Sequence, residues 1–277
     1  MATGVLPRPV PLLNNSTGKV KVLSYVDVLS KEEKVGDSVA VIGAGGIGFD
    51  VSDFLTHGHV AGHTPSIPSD KETPNLDHVD DTAVDQFLQD WGVDKKIINS
   101  GGLIPKEEQV TPISPRKVYL LQRKAGRLGR GLGKTTGWIH RSTLKKRKVE
   151  EIGSCKYVEV NDEGLVIEVK DKQGQVQRRT LPVDTVVLCA GQESYKPLHT
   201  ALSVSAKDAS VDGKAPRFFL IGGAQEAGEL DAKRAIDQGT RLAAVIEEAK
   251  TGDVYEARHD QSLMVKAMQG MMKIVQR

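Results

Sequence analysis

Cysteine is scarce in this sequence of 277 residues, which has two, Cys155 and Cys189. Two thiols cannot hold a four-iron cluster, which takes four thiolates, and these two form no C-x-x-C redox pair. They also exclude a disulfide scaffold, so we expect an intracellular protein in a reducing compartment, either cytoplasmic or mitochondrial. His57, His59 and His63 recur near a turn but lack cysteine or carboxylate partners at ligand spacing, and no metal site is predicted.

Aromatic residues are few as well, at 4% of the chain, and the formal net charge is only +2. A protein that stacks bases on aromatic rings usually has more of them, and so small a charge creates no field that attracts nucleic acid or anionic lipid. No apolar run approaches the roughly 20 residues that span a bilayer. We therefore expect neither nucleic acid nor a membrane as a partner. The 39% of hydrophobic residues suffice for a globular core.

The sequence does contain a glycine-rich turn between an apolar strand and an amphipathic helix. The strand, Val39–Ile42, is apolar throughout, as central parallel strands are. In this pattern, G-x-G-x-x-G, the first glycine permits a tight turn, the second lets the backbone approach a pyrophosphate, and the third lets the helix pack on the strand. The helix N-terminus adds free N–H groups for the phosphates. The pattern predicts dinucleotide binding through Gly43, Ala44, Gly45, Gly46, Ile47 and Gly48. The alternative is a glycine-rich turn that binds nothing.

The next predicted strand, Val118–Leu121, indicates which dinucleotide binds. An NAD site usually has an acidic residue about 20 positions after the glycine turn, but that offset falls here in a Ser/Pro-rich loop at residues 66–70. The strand instead ends in basic residues, Arg123 and Lys124. Cationic groups suit the 2′-phosphate of NADPH, which a carboxylate would repel. NADPH is therefore predicted over NADH, and the alternative is an ordinary solvated basic turn.

The order of elements predicts an α/β fold, a Rossmann-like domain with a parallel sheet and a small antiparallel meander. The meander strands are predicted at Tyr157–Val160, Gly164–Lys170 and Gln175–Leu181, with a turn at Asp171–Gly174. Further strands are predicted at Asp184–Gly191 and Arg217–Gly223, and helices at Ala83–Trp91 and Thr135–Lys148. A P-loop ATPase is not favoured, because Leu128 stands where the first glycine of that motif belongs.

A distinctive string, GRGLGKTTGWIHRSTL, begins at Gly129. It lies between VAVIGAGGIGFD and the later segments VVLCAGQE and LIGGAQEAGELDAKRAIDQGTRLA. Over about residues 2–248 these motifs resemble the NADPH-dependent 2,4-dienoyl-CoA reductases of the old-yellow-enzyme/trimethylamine-dehydrogenase type. The resemblance implies a flavoprotein of fatty acid β-oxidation, in which hydride passes from NADPH to FAD. Electrons then pass through a 4Fe-4S cluster and FMN to an unsaturated fatty acyl-CoA.

The same resemblance implies that FMN and the 4Fe-4S cluster belong to an N-terminal barrel domain, which this sequence lacks and which would be its partner. The chain is thus expected to be the C-terminal FAD/NADPH-binding fragment of the enzyme, or a solo remnant of it. Residues 1–35 would end the first half of an FAD-type domain, residues 36–190 would be the NADPH-binding domain, and residues 191–277 would complete the FAD-type domain.

The resemblance also implies further cofactor contacts. Near the flavin they are Ala2, Thr3, Gly4, Gly222, Gly223 and Gln225. Near the nicotinamide they are Thr135 and Trp138, and after the strand that ends the NADPH domain they are Ala190 and Gly191. No catalytic acid, base or nucleophile is predicted, because in such enzymes the cofactors carry the chemistry.

Two departures from the family bear on whether FAD is retained. Gln225 stands where the family usually has an acidic residue that bonds the ribityl chain, and the segment Ser194–Lys196 lacks the usual Pro-Asn ending. Gln225 and the missing N-terminal half favour an alternative, a non-enzymatic NADPH-binding module for sensing or scaffolding that has lost flavin chemistry. A flavoprotein disulfide reductase is a second enzymatic alternative, although its redox cysteine pair is absent.

Overall fold

The computed structural model describes residues 1–10, 18–30, 34–57, 81–111, 113–170, 174–208, 216–228, 232–250, 252 and 254–255. The strands are β1 (Val5–Pro7), β2 (Lys21–Ser24), β3 (Ser38–Ile42), β4 (Lys117–Leu121), β5 (Glu150–Ile152), β6 (Cys155–Asn161), β7 (Gly164–Lys170), β8 (Val176–Leu181), β9 (Thr185–Leu188) and β10 (Gln192–Ser194). The α-helices are α1 (Tyr25–Leu29), α2 (Gly46–Thr56), α3 (Asp81–Trp91), α4 (Gly137–Lys146), α5 (Pro197–Asp208) and α6 (Ala232–Ala244). Short 3₁₀ helices lie at Ser100–Gly102 and Gly222–Ala224.

The chain divides into two compact units, a larger one of Pro9–Gly191 and a smaller one of Met1–Arg8 with Gln192–Arg277. The larger unit is built on a five-stranded parallel sheet in the order β2-β9-β3-β4-β5. A separate three-stranded antiparallel sheet, β6-β7-β8, is the predicted meander. The predicted α/β fold, with its Rossmann-like sheet and meander, is confirmed. Of the predicted meander turn, residues 171–173 lie outside the described residues.

Strand β3 is apolar from Val39 to Ile42 because both of its faces are covered there. Val39 and Val41 point into a cluster that includes Phe49 and Leu55 of helix α2. Ala40 and Ile42 point into a second cluster, shared with the meander. Central strands of parallel sheets are buried on both faces, which explains why the sequence shows no alternation here.

The boundary between the units differs from the one that the resemblance implies. Strand β2 pairs in parallel with β9, so residues 21–24 form an edge of the larger unit's sheet. Only Met1–Arg8 of the expected 1–35 segment groups with the C-terminal part of the chain. Sequence proximity gave no sign of this pairing, because the partner strand lies about 160 residues further along the chain.

The smaller unit contains a two-stranded antiparallel sheet, in which Val5 pairs with Ser194. The prediction of a strand at Arg217–Gly223 is wrong, because the structure has no strand there. Its main chain instead bonds to Met1, whose amino group donates to the Phe219 carbonyl and whose carbonyl accepts from Ile221 N–H. Two bonds to one residue do not make a ladder. Among the described residues, no helix is long and apolar enough to cross a bilayer.

Candidate functional site

The glycine turn lies at the carboxyl edge of the parallel sheet. Gly43 follows β3 with φ of +112°, a conformation that favours glycine, and its N–H donates to the Leu121 carbonyl at 2.9 Å. A Cβ atom on Gly43 would lie 2.6 Å from the Cys189 carbonyl oxygen. The first position of the motif therefore needs glycine both for its dihedral angle and for the close approach of the chain after β9.

The other glycines of the turn differ in their surroundings. A Cβ on Gly48 would overlap the Gly43 carbonyl oxygen, so only glycine lets helix α2 start against the strand. A Cβ on Gly45 or Gly46 would meet nothing within 4 Å. Gly45 is the N-cap of α2 and gives it no side-chain cap, and helix N-termini of this kind bind phosphate. The open approach and the uncapped N–H groups fit a pyrophosphate.

The two remaining residues of the motif serve the core. Ala44 and Ile47 are half-buried and pack against the cluster that lies between the sheet and α2. Their side chains thus point into the core, so only their main-chain N–H groups are available to bind a nucleotide.

Strand β4 brings the basic residues to the same edge. It pairs in parallel with β3, with Leu121 opposite Ile42, so the turn after β4 lies beside the turn after β3. Arg123 and Lys124 are both exposed in this turn. The structure thus brings together the predicted pyrophosphate and 2′-phosphate residues, as the parallel sheet requires.

Ala190 also adjoins the glycine turn. Strand β9 pairs with β3 on the side away from β4, and Cys189 N–H donates to the Ile42 carbonyl at 2.8 Å. A Cβ on Gly43 would lie 3.1 Å from the Ala190 Cα atom. Gly191 follows with φ of +100° and is exposed.

The two residues predicted beside the nicotinamide lie at the start of α4, which packs against α2. Thr135 is exposed, and Trp138 is 53% exposed and contacts Trp91 edge-on at 6.2 Å between ring centroids. The loop before them is fixed at Gly129, whose carbonyl accepts from Arg141 at 3.2 Å and which closely approaches the Phe49 ring. The predicted role of both residues beside the nicotinamide remains a prediction.

The smaller unit contains a second glycine turn. Thr3 donates its hydroxyl proton to the Tyr195 carbonyl, and Tyr195 N–H donates to the Gly4 carbonyl at 3.0 Å. The Ser194 hydroxyl donates to the Gly223 carbonyl at 2.8 Å. The predicted flavin-side residues Ala2–Gly4 and Gly222–Gly223 are therefore joined through Ser194 and Tyr195.

A residue that the sequence did not single out shapes this second turn. Gln238 of α6 is buried, and its side-chain oxygen accepts from Gly222 N–H. Its Nε2 donates to Oε1 of the half-buried Gln225 at 3.4 Å. Gly222 has φ of +62°, so the turn needs both glycine and the glutamine that satisfies its amide. A glutamine inside a helical pattern carries no sequence signal of such a role.

Cys155 and Cys189 are both free thiols and do not form a redox pair. Cys155 begins β6 and Cys189 follows β9, and the two pack in different apolar clusters. Burial raises the pKa of the Cys155 thiol and raises that of Cys189 to about 12. Because the thiolate is the reactive form, neither residue is suited to disulfide exchange near neutral pH.

A glycine turn in each of the two units fits a dinucleotide-binding α/β fold. The profile of the pyridine nucleotide-disulphide oxidoreductase family matches residues 1–239, and the chain belongs to this family. Binding of FAD and NAD(P) is general among members of this family.

Known proteins similar to this chain are much longer than it is. A metal reductase from Desulforamulus reducens is 25% identical over 217 residues, which are 78% of this chain and 27% of that protein. The structure of histamine dehydrogenase from Rhizobium sp. 4-9 aligns with a TM-score of 0.57 and 13% identity. The alignment covers 94% of this chain and 32% of the histamine dehydrogenase chain. A 2-naphthoyl-CoA reductase complex aligns with a TM-score of 0.49 and 18% identity. The alignment covers 85% of this chain and 24% of the reductase chain. The chain therefore spans about a quarter to a third of these proteins.

Proposed function

We propose that this chain binds NADPH at the Gly43–Gly48 turn and FAD in the smaller unit, as the electron-input part of a 2,4-dienoyl-CoA reductase that acts on unsaturated fatty acyl-CoA. The observation that carries the proposal is the position of Arg123 and Lys124 beside the glycine turn, at the edge where β3 and β4 end together. Phosphate-binding N–H groups and 2′-phosphate-binding cations are then one strand apart.

The chain's own residues would bind and orient the nucleotide. The N–H groups at the start of α2 would hold the pyrophosphate, and Arg123 and Lys124 would hold the 2′-phosphate by charge-assisted bonds. When bound, NADPH supplies the hydride and FAD accepts it. The Gly222–Gly223 turn, held by Gln238, is the part of the smaller unit that we assign to the flavin.

Calorimetric titration with NADPH and NADH tests the nucleotide assignment. We expect NADPH to bind more tightly, and Arg123→Ala to remove most of the difference, about 1–3 kcal/mol for one lost charge-assisted contact. The matched control is Arg178→Ala, since Arg178 is an exposed arginine on β8 of the meander. If neither nucleotide binds, the assignment is withdrawn. If Arg123→Ala keeps the full preference, the 2′-phosphate lies elsewhere.

Anaerobic mixing of the FAD-supplied chain with NADPH tests hydride transfer. Loss of the visible absorbance of oxidised FAD supports the reductase. Tight NADPH binding with an unchanged flavin spectrum would favour the alternative of a non-enzymatic NADPH-binding module, which Gln225 at the ribityl position supports.

The substrate assignment rests on the motifs shared with 2,4-dienoyl-CoA reductases and needs its own test. A protein that joins this chain to an FMN- and cluster-containing barrel should consume NADPH with a 2,4-dienoyl-CoA and not with the saturated acyl-CoA of the same length. A soluble ferric chelate is the comparison acceptor, because the relative from Desulforamulus reducens is a metal reductase. Faster turnover with the chelate than with the dienoyl-CoA would contradict the proposed substrate.

A further inference from the structure

The turn that contains Arg123 and Lys124 is closed by the side chain of Gln122, the residue at its start. The carboxamide nitrogen of Gln122 donates to the Lys124 carbonyl at 3.0 Å and to the Gly126 carbonyl at 3.1 Å. Both protons of one amide group are thus used within five residues of chain. Gly126 has φ of +95°, which turns its carbonyl back toward this amide and favours glycine.

The same turn is also fixed from the neighbouring strand. Gln122 N–H donates to the Ile152 carbonyl at 3.0 Å, which continues the pairing of β4 with β5. Beyond β5, Ser154 N–H donates to the Lys124 carbonyl at 3.2 Å and Cys155 N–H to the Gln122 carbonyl at 3.3 Å. The main chain around Arg123 is therefore held at both of its ends, while its side chain remains exposed.

We propose that Gln122 is a positioning residue that sets the preference for NADPH over NADH, an inference that rests on the proposed NADPH site. Its carboxamide fixes the turn so that Arg123 and Lys124 face the edge of the sheet where the nucleotide binds. A turn that is ordered before binding loses less freedom when the 2′-phosphate arrives, and so retains more of the energy of the charge-assisted bonds. NADH has no 2′-phosphate and gains nothing from this order.

The chemistry of the side chain is specific. The glutamine amide has two donor protons and gives one to each of two carbonyl oxygens, those of Lys124 and Gly126. Gln122→Met keeps a similar length and removes the donors. Gln122→Glu also removes them, places a carboxylate against the two carbonyls, and adds a charge that repels a phosphate.

Calorimetric titration of both nucleotides into wild type, Gln122→Met, Arg123→Ala and the double variant tests the proposal. We expect Gln122→Met to weaken NADPH binding about tenfold, the size of one net hydrogen bond, and to leave NADH within about twofold. In the Arg123→Ala background the same change should add almost nothing, because Gln122 acts through that turn. Gln177→Met, the same replacement at an exposed glutamine of β8, is the control and should change neither affinity.

The outcomes separate this inference from the proposed function. Equal weakening of NADPH and NADH, or fully additive effects in the double variant, would show a merely structural role and overturn it. A wild type without NADPH preference overturns both. Gln122→Glu is the second variant should Gln122→Met not fold, as judged by thermal unfolding, and it should weaken NADPH even more. An unchanged nucleotide ratio in either folded variant overturns the inference alone.

Discussion

Gly45 and Gly48 belong to one motif, yet the structure itself requires glycine only at Gly48. At Gly48 a Cβ would overlap the Gly43 carbonyl oxygen, so the requirement comes from packing of helix on strand. At Gly45 the space is open and φ is −86°, which any residue adopts. The fold alone does not need glycine there, and the requirement arises only if a pyrophosphate approaches the backbone.

This difference predicts opposite results for two alanine variants. Gly45→Ala should leave the free energy of unfolding within about 0.5 kcal/mol of wild type, as for other changes in open space, and should still prevent tight NADPH binding. Gly48→Ala should lower the free energy of unfolding by about 1–3 kcal/mol through overpacking. Urea unfolding and nucleotide titration measure both. Gly46→Ala is the control for stability, since its Cβ would also meet open space. Unimpaired NADPH binding by Gly45→Ala would place the pyrophosphate elsewhere.

The residues that the sequence predicted and those that it missed differ in what fixes them. The glycine motif is local, since its pattern lies between one strand and one helix, and it could be predicted. Gln122 and Gln238 act through bonds from a side chain to main-chain groups. Those of Gln238 depend on how α6 meets the second glycine turn, and no spacing in the sequence encodes such a meeting.

At the scale of elements, the basic end of helix α4 is used to hold helix α3. Lys146 Nζ donates to the Asp90 carbonyl at 2.7 Å and lies 4.5 Å from the centroid of the Trp91 ring. Arg147 donates to the Thr56 carbonyl at 3.1 Å and forms an ion pair with Asp90 at 3.3 Å. The Arg147 side chain is only 9% exposed, so its charge is buried between the elements that it joins and is not a solvated surface charge.

Arg147→Ala should therefore loosen α3 without changing the central sheet. Loss of the bonds to Thr56 and Asp90 leaves partners unsatisfied and should lower the free energy of unfolding by about 1–3 kcal/mol. Amide hydrogen exchange should accelerate in Asp81–Trp91 more than in Ser38–Ile42. Lys145→Ala, at an exposed neighbouring position, is the control and should change neither measurement. Equal acceleration in the helix and the strand would mean that Arg147 supports the whole unit.

Elements with strong local patterns were predicted correctly, and those that depend on distant partners were not. The apolar run Val118–Leu121 and the alternating Gly164–Lys170 are both strands, β4 and β7. The apolar segment Arg217–Gly223 is not a strand, because its bonds to Met1, at Phe219 and Ile221, reach a single residue and no neighbouring strand in the described part of the chain runs along it. Hydrophobic content predicts burial, whereas a strand also needs a neighbour along its length.

At the scale of the whole molecule, the chain leaves one unit, builds the other and returns. Met1–Arg8 and the segment from Gln192 onward share a unit, and they meet in the β1–β10 pair. The resemblance predicts that the chain returns to a flavin-type domain after a first crossing near residue 35, and the flavin assignment remains a prediction. A glycine turn in each unit then gives each its own predicted cofactor.

This arrangement predicts that the two cofactors protect different parts of the chain from hydrogen exchange. NADPH should slow exchange at Gly43–Gly48 and at residues 122–126, and FAD should slow it at residues 1–8 and 216–228. At a ligand concentration of 100 times Kd, the stabilisation is about 2.7 kcal/mol, which slows exchange through local openings that break the ligand's contacts about 100-fold. NADH at the same multiple of its Kd is the control, and it should protect Gly43–Gly48 while leaving residues 122–126 near the ligand-free rate. Protection of residues 216–228 by NADPH, with none at the glycine turn after β3, would reverse the assignment of cofactors to units, because a ligand stabilises first the structure that it contacts.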